Sequence, residues 1–132
     1  MNSRFQIGIR MAYTIIAWLW VATILFQVLL IGLNLFAGEP TASAHVGFGH
    51  MIGILPLLLL ILAFVGRLPR SDRWLAGLQF VLFILQAEVF AAIRGSVPLL
   101  AAFHPVLALA MFATAVVVAS RAVSLARISD HE

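Results

Sequence analysis

Four stretches of this chain are each long enough to cross a bilayer and carry at most one charged side chain. Met11–Gly38, Pro40–Gly66 and Gly95–Ser120 carry none, and Trp74–Ile93 carries only Glu88. A bilayer's hydrocarbon core takes about 20 apolar residues to cross as a helix. Inside it every backbone N–H and C=O must be bonded within the protein, which admits only helices or closed barrels. The stretches are continuous apolar runs rather than short alternating strands, so helices are predicted. They fill most of the 132 residues and leave room only for short connections. The expectation is an all-α fold: one up-down four-helix transmembrane bundle, a single integral membrane domain over residues 1–132, with helices at about 11–38, 41–66, 73–94 and 97–124.

Composition removes the other classes. The chain is 64% hydrophobic and 10% charged, whereas a soluble domain averages about 45–50% apolar and about 25% charged. A chain of this size has too little interior to hide that much apolar surface from water. Disorder needs the opposite composition. With no cysteine, disulfides, thiolate zinc sites and iron–sulfur clusters are excluded. The net charge of +3 comes from eight arginines scattered along the chain, with no basic stripe of the kind that binds nucleic acid.

The arginines instead predict orientation. Arg4 and Arg10 precede the first stretch, Arg67, Arg70 and Arg73 lie between the second and third, and Arg121 and Arg127 follow the fourth. The other two connections hold only Glu39 and Arg94. The positive-inside rule makes the arginine-rich side cytoplasmic, with both termini inside. Arg4, Arg10, an apolar run and Ala42-Ser43-Ala44 imitate a secretory signal with its cleavage site, but the run is too long for a signal peptide's core and reads as a membrane helix.

In so apolar a chain the informative residues are the ionisable ones within the spans, each a functional-site hypothesis. They are His45 and His50 in the second, Glu88 in the third and His104 in the fourth; His131 lies in the polar tail. At about 1.5 Å per residue from the outer helix ends, His45 is about 6 Å deep, His50 about 13 Å, and Glu88 and His104 about 9 Å. Three separate helices therefore bring all four to the outer half of the bilayer.

His45 and His50, five residues apart, diverge by about 140° around the helix, so at most one of them faces a given central ligand. Gly47 and Gly53 flank His50 at i−3 and i+3, an arrangement that predicts a flat clearing beside its imidazole. Ala101 and Ala108 flank His104 in the same way. Two imidazoles on facing helices beside small residues suit the two axial ligands of a haem iron. On this reading His104 pairs with either His50 or His45. The same residues also fit a plainer account, in which small residues allow close helix packing and His hydrogen-bonds between helices. Glu88 is read as a partner that fixes a histidine tautomer, or as a group handling protons or a quinone-like substrate. Arg94 is read as a rim anchor or a partner for haem propionates. Thr23, Gln27, Asn34 and Gln86 are predicted to hydrogen-bond between helices. Pro56 is predicted to kink the second helix.

The stretch His45-Val46-Gly47-Phe48-Gly49-His50-Met51-Ile52-Gly53, with Phe103-His104-Pro105-Val106 opening the last helix, resembles a family of small uncharacterised four-helix bacterial membrane proteins. More distantly it is similar to one four-helix half of haem A synthase and to four-helix b-type membrane cytochromes. The resemblance implies haem-ligating histidines on facing helices near one membrane surface, with His104 the firmer positional match. Two departures limit it. A second histidine pair near the cytoplasmic side is missing, so this chain alone is not expected to carry electrons across the whole bilayer. The outer loop has no cysteine pair, which argues against full haem A synthase activity.

The leading expectation is thus a single b-type haem held by two histidines, for electron transfer or haem handling near the outer face. The partners would be the lipid bilayer, a quinol or a redox protein, and a homo-oligomer or larger membrane complex. The chain would then act as an electron carrier or subunit rather than an enzyme on its own. Two alternatives stand beside it: an accessory subunit of a membrane complex, binding a chlorophyll-type pigment through one histidine, and a carrier of a non-haem metal ion using His45, His50, His104 and Glu88.

Overall fold

The computed structural model describes residues 3–129; His131 lies outside the described residues. The regular structure is helical throughout: α1 (Ser3–Ala37), α2 (Ala42–Met51), α3 (Ile54–Val65), α4 (Arg70–Ile84), a π-helical turn (Leu85–Val89), α5 (Phe90–Ile93), α6 (Pro98–Ala101) and α7 (His104–Ser129). These join into four spans, Arg4–Ala37, Ala42–Val65, Arg70–Ile93 and Pro98–Ala126, each long and apolar enough to cross a membrane. They fit an integral membrane protein.

The first helix starts at Ser3 rather than near residue 11. The added turns gain packing: Ile9 is buried, and Arg10 donates from Nη1 to the Leu125 carbonyl of α7 at 3.3 Å. Short connections follow from local chemistry. After α1, Gly38 takes a left-handed φ of +72°, which glycine adopts without a Cβ penalty. Asn34 Nδ2 donates to the Glu39 carbonyl at 2.9 Å, and Thr41 Oγ1 to the Leu30 carbonyl at 2.5 Å. Asn34 therefore ties down a loop rather than bonding between helices, and Thr23 returns to the Trp20 carbonyl of its own helix. After α3, Leu68 N donates to Ala63 O and Arg67 N to Phe64 O, both at 3.0 Å. This Schellman arrangement satisfies the last carbonyls and seats Leu68 in the core. It holds Arg67 at a φ of +48°.

α1 packs against α7 and α3, α3 against α4, and α4 against α7, closing a ring, while α2 lies on α1. Each core stripe has helical period. Tyr13, Ala17, Trp20 and Ile24 line α1; Leu55, Leu59 and Ala63 line α3; Met111, Ala115, Val118, Ala119 and Ala122 line α7. The alanines of α7 leave room for the large Tyr13 and Trp20 side chains. The inner face of α4 mixes Ala76 and Phe83 with two buried polar residues, Asp72 and Gln79. Both are satisfied. Gln79 Oε1 accepts from Trp20 Nε1 at 2.8 Å, and its Nε2 donates to Thr114 Oγ1 at 2.6 Å. Asp72 accepts from Arg121, Nε to Oδ1 at 2.8 Å and Nη2 to Oδ2 at 3.0 Å, and from Ser71 Oγ at 3.2 Å.

Packing is uneven along the bundle. α2, the π turn, α5 and α6 contain no fully buried residue. The tight core is built by α1, α3, α4 and α7.

Two stability predictions follow from these contacts. A Cβ on Gly53 would overlap the ring of Phe83, which sits edge-on to Trp20 at 6.0 Å. Gly53→Ala should destabilise the fold by about 1–3 kcal/mol and shift Trp20 emission, read by unfolding in detergent. The Arg121 side chain is 46% exposed and that of Asp72 only 3%. Arg121→Met leaves a buried carboxylate without its cation, whereas Asp72→Asn leaves an arginine that can turn to solvent. The arginine variant should therefore lose at least about 1 kcal/mol more.

Candidate functional site

The helices are interrupted where the ionisable residues lie. In the second span, Pro56 has no N–H for the Ile52 carbonyl, and Leu55 N takes that carbonyl instead, at 2.9 Å. The helix opens into a turn at Ile52–Gly53, one residue after α2 ends, with His50 in the last turn. In the fourth span, α6 ends at Ala101 and α7 begins at His104, with Phe103 N bonded to Leu100 O at 3.1 Å across the gap. Pro105 there offers no N–H to the Ala101 carbonyl. In the third span the π turn Leu85–Val89 holds Glu88. Single π turns and broken membrane helices recur at functional sites, and here three spans carry one each.

The histidines form two pairs. His45 and His104 face each other with ring centres 6.4 Å apart at an interplanar angle of 66°. His45 Nδ1 lies 3.1 Å from the Gln27 main-chain carbonyl. A carbonyl only accepts, so Nδ1 carries the proton and donates; in the neutral ring the lone pair is then on Nε2. The Phe90 ring stands edge-on to His104 at 6.1 Å. Gln86 Nε2 donates to the His104 carbonyl at 3.1 Å, pinning the start of α7 to the π turn. The second pair is His50 Nδ1 with Glu88 Oε1 at 2.9 Å, with side chains 48% and 55% exposed. The divergence of His45 and His50 around their helix thus sends each to a different neighbour.

The small residues behave individually. A Cβ on Gly47 would meet nothing within 4 Å. On Gly49 it would lie 2.8 Å from Gln27 Nε2, so that glycine lets the Gln27 amide lie against α2. The clearing expected beside Gly53 is filled by Phe83, because the turn at Ile52–Gly53 brings that face against α4. Arg94 is exposed at the end of the third span. The Oε1 atoms of Gln27 and Gln86 are buried with no hydrogen-bond partner among the described residues. Among those residues no group of three or more His, Cys, Asp or Glu converges as a metal site. A ligand pair such as His45 and His104 is a smaller arrangement.

The residues not anticipated from sequence are Asp72 and Gln79. Asp72 stands among Arg70, Ser71 and Arg73, which reads as a solvated connection. Gln79 had a usable signal: it falls in helical phase with Ala76 and Phe83.

A family model, that of a family of unknown function (DUF6220), matches residues 27–93, half of the chain. The chain belongs to this family. The segment matched to DUF6220 holds Gln27, His45, His50, Gln86 and Glu88 and stops before His104. The match carries no likeness to haem A synthase or to b-type cytochromes. No curated protein and no solved structure matches the chain.

Both partners of the His50–Glu88 pair are half-exposed, so their coupling should be modest. A double-mutant cycle with His50→Ala and Glu88→Ala, followed by unfolding in detergent, should give about 0.5–1 kcal/mol.

Proposed function

We propose that this protein is a haem-binding membrane protein in which His45 and His104 are the axial ligands of a single b-type haem. The observation that carries this reading is the pairing of those rings at 6.4 Å. Two imidazole nitrogens bound to one metal ion from opposite sides, at about 2 Å each, put ring centres about 6 Å apart. The Gln27 carbonyl at His45 Nδ1 supports it further, since a metal-binding histidine commonly donates its other N–H to a carbonyl or carboxylate. The pair also lies in the part of the bundle where α2, the π turn, α5 and α6 bury no residue fully, which suits a large planar group.

A bound haem would supply one-electron chemistry. The chain's own residues would set its surroundings. His45 and His104 would hold the metal from two helices, with Phe90 against the His104 ring and Gln86 bonded to the first residue of α7. His50 and Glu88, hydrogen-bonded to each other, would accompany electron exchange with a quinol or a redox protein. Gly47 leaves open space on α2, and Arg94 is the cation available for propionates. The bundle runs up and down through a bacterial cytoplasmic membrane with both termini inside. That orientation rests on the arginines, seven of which fall on one side in this topology. The site then lies toward the outer face.

The test is an absorption spectrum of the purified protein, oxidised and reduced, before and after titration with haem. One equivalent should give a Soret band with the spectrum of a low-spin iron held by two histidines. His104→Ala and His45→Ala should each abolish or shift that band, and His50→Ala should keep two-histidine ligation. Absence of a stoichiometric Soret band, or a band indifferent to His104→Ala, rejects the assignment. A red-absorbing pigment dependent on a single histidine would favour pigment binding instead.

A further inference from the structure

At the other end of α4, far from the histidines, lies a groove of about 370 Å³ lined by Leu60, Phe64, Arg70, Arg73, Trp74 and Gly77. Glu88 lies sixteen positions beyond Asp72 in the sequence, about 24 Å along a helix. The groove runs between α3 and α4. Leu60, Phe64 and Gly77 form an apolar trough, and the two arginines and Trp74 mark one end of it. We propose that it is a binding site for one anionic phospholipid, with an acyl chain in the trough and the phosphate between Arg70 and Arg73.

Three observations carry the assignment. First, the arginines here are not neutralised by their neighbours. Asp72 is the only acidic residue between Glu39 and Glu88, and both its oxygens are taken by Arg121 from α7. Arg67, Arg70 and Arg73 thus crowd one connection beside an acid already spoken for. Second, Arg73 is held partly inside the wall. Its guanidinium lies over the Phe64 ring, 5.6 Å from the centroid, and its Nε is buried with no hydrogen-bond partner among the described residues. A guanidinium with no carboxylate partner among the described residues calls for an anionic acceptor, and a phosphate oxygen is the acceptor that a membrane supplies. Third, Trp74 is 70% exposed, as expected of an indole at the headgroup level. The trough is open beside Gly77, where a Cβ would come no nearer than 3.9 Å to Leu60 Cδ1. Basic pockets between membrane helices are the usual setting for anionic headgroups.

The proposal can be tested by native mass spectrometry of the full chain in detergent. The protein is titrated with phosphatidylglycerol, with phosphatidylcholine of the same acyl chains, and with inorganic phosphate. One phosphatidylglycerol should bind at least about 5-fold more tightly than phosphatidylcholine. Arg73→Gln should weaken it about 5-fold, and Arg70→Gln with Arg73→Gln should bring it to the phosphatidylcholine level. Gly77→Leu, which fills the trough and keeps both arginines, should also lose the tight adduct. Equal binding of the two lipids by the unaltered protein overturns the site, and this comparison needs no variant. Retention of the preference in the doubly substituted or the Gly77→Leu protein also overturns it. Displacement of the lipid by equimolar inorganic phosphate would assign the arginines to a free anion and reject the lipid.

Discussion

Hydrocarbon offers the backbone no hydrogen-bond partners, and this constraint shapes the whole molecule. Long helices satisfy it by default. Where this chain departs from continuous helix inside a span, something else has to take over the freed groups. At Pro56 the Leu55 N–H takes the Ile52 carbonyl, and in the gap before α7 the Phe103 N–H takes the Leu100 carbonyl. The interruptions lie next to His50, His104 and Glu88, so the irregular backbone and the ionisable side chains occur together.

The two ends of the bundle differ in how closely they pack. Around Trp20 and Gln79 the spans are joined by a satisfied polar network and close-packed alanines, leaving little freedom to repack. Asp72 and Arg121 tie α4 to α7 at the arginine-rich end. α2, which carries His45 and His50, and the short helices α5 and α6 are less enclosed. A closely packed half thus adjoins a more open one, and the DUF6220 segment includes parts of both.

The four spans were legible because a long apolar run in helix is almost the only local answer to a bilayer. The residues worth watching were legible for the same reason: His45, His50, Glu88 and His104 stand out against hydrocarbon. What could not be read was pairing. That His45 and His50 point apart follows from helical period, but which one meets His104 depends on how α2 lies on α1 and where the turn at Ile52–Gly53 redirects the chain. Gly53 was expected to clear space and instead receives Phe83, because a glycine's emptiness does not say what fills it. Asp72 stands among arginines in the sequence and is buried, since its partner Arg121 comes from a helix 49 residues away.

The sequence by itself determined that four helices form and that their few ionisable residues cluster by depth, because hydropathy and helical rise are local properties. Only the tertiary structure decided that His45 rather than His50 faces His104, that Glu88 goes to His50, and that Asp72 is neutralised while Arg70 and Arg73 border a groove. Those outcomes turn on the rotation of each helix about its axis, which packing of Trp20, Phe83 and the α7 alanines sets and no single stretch of sequence encodes.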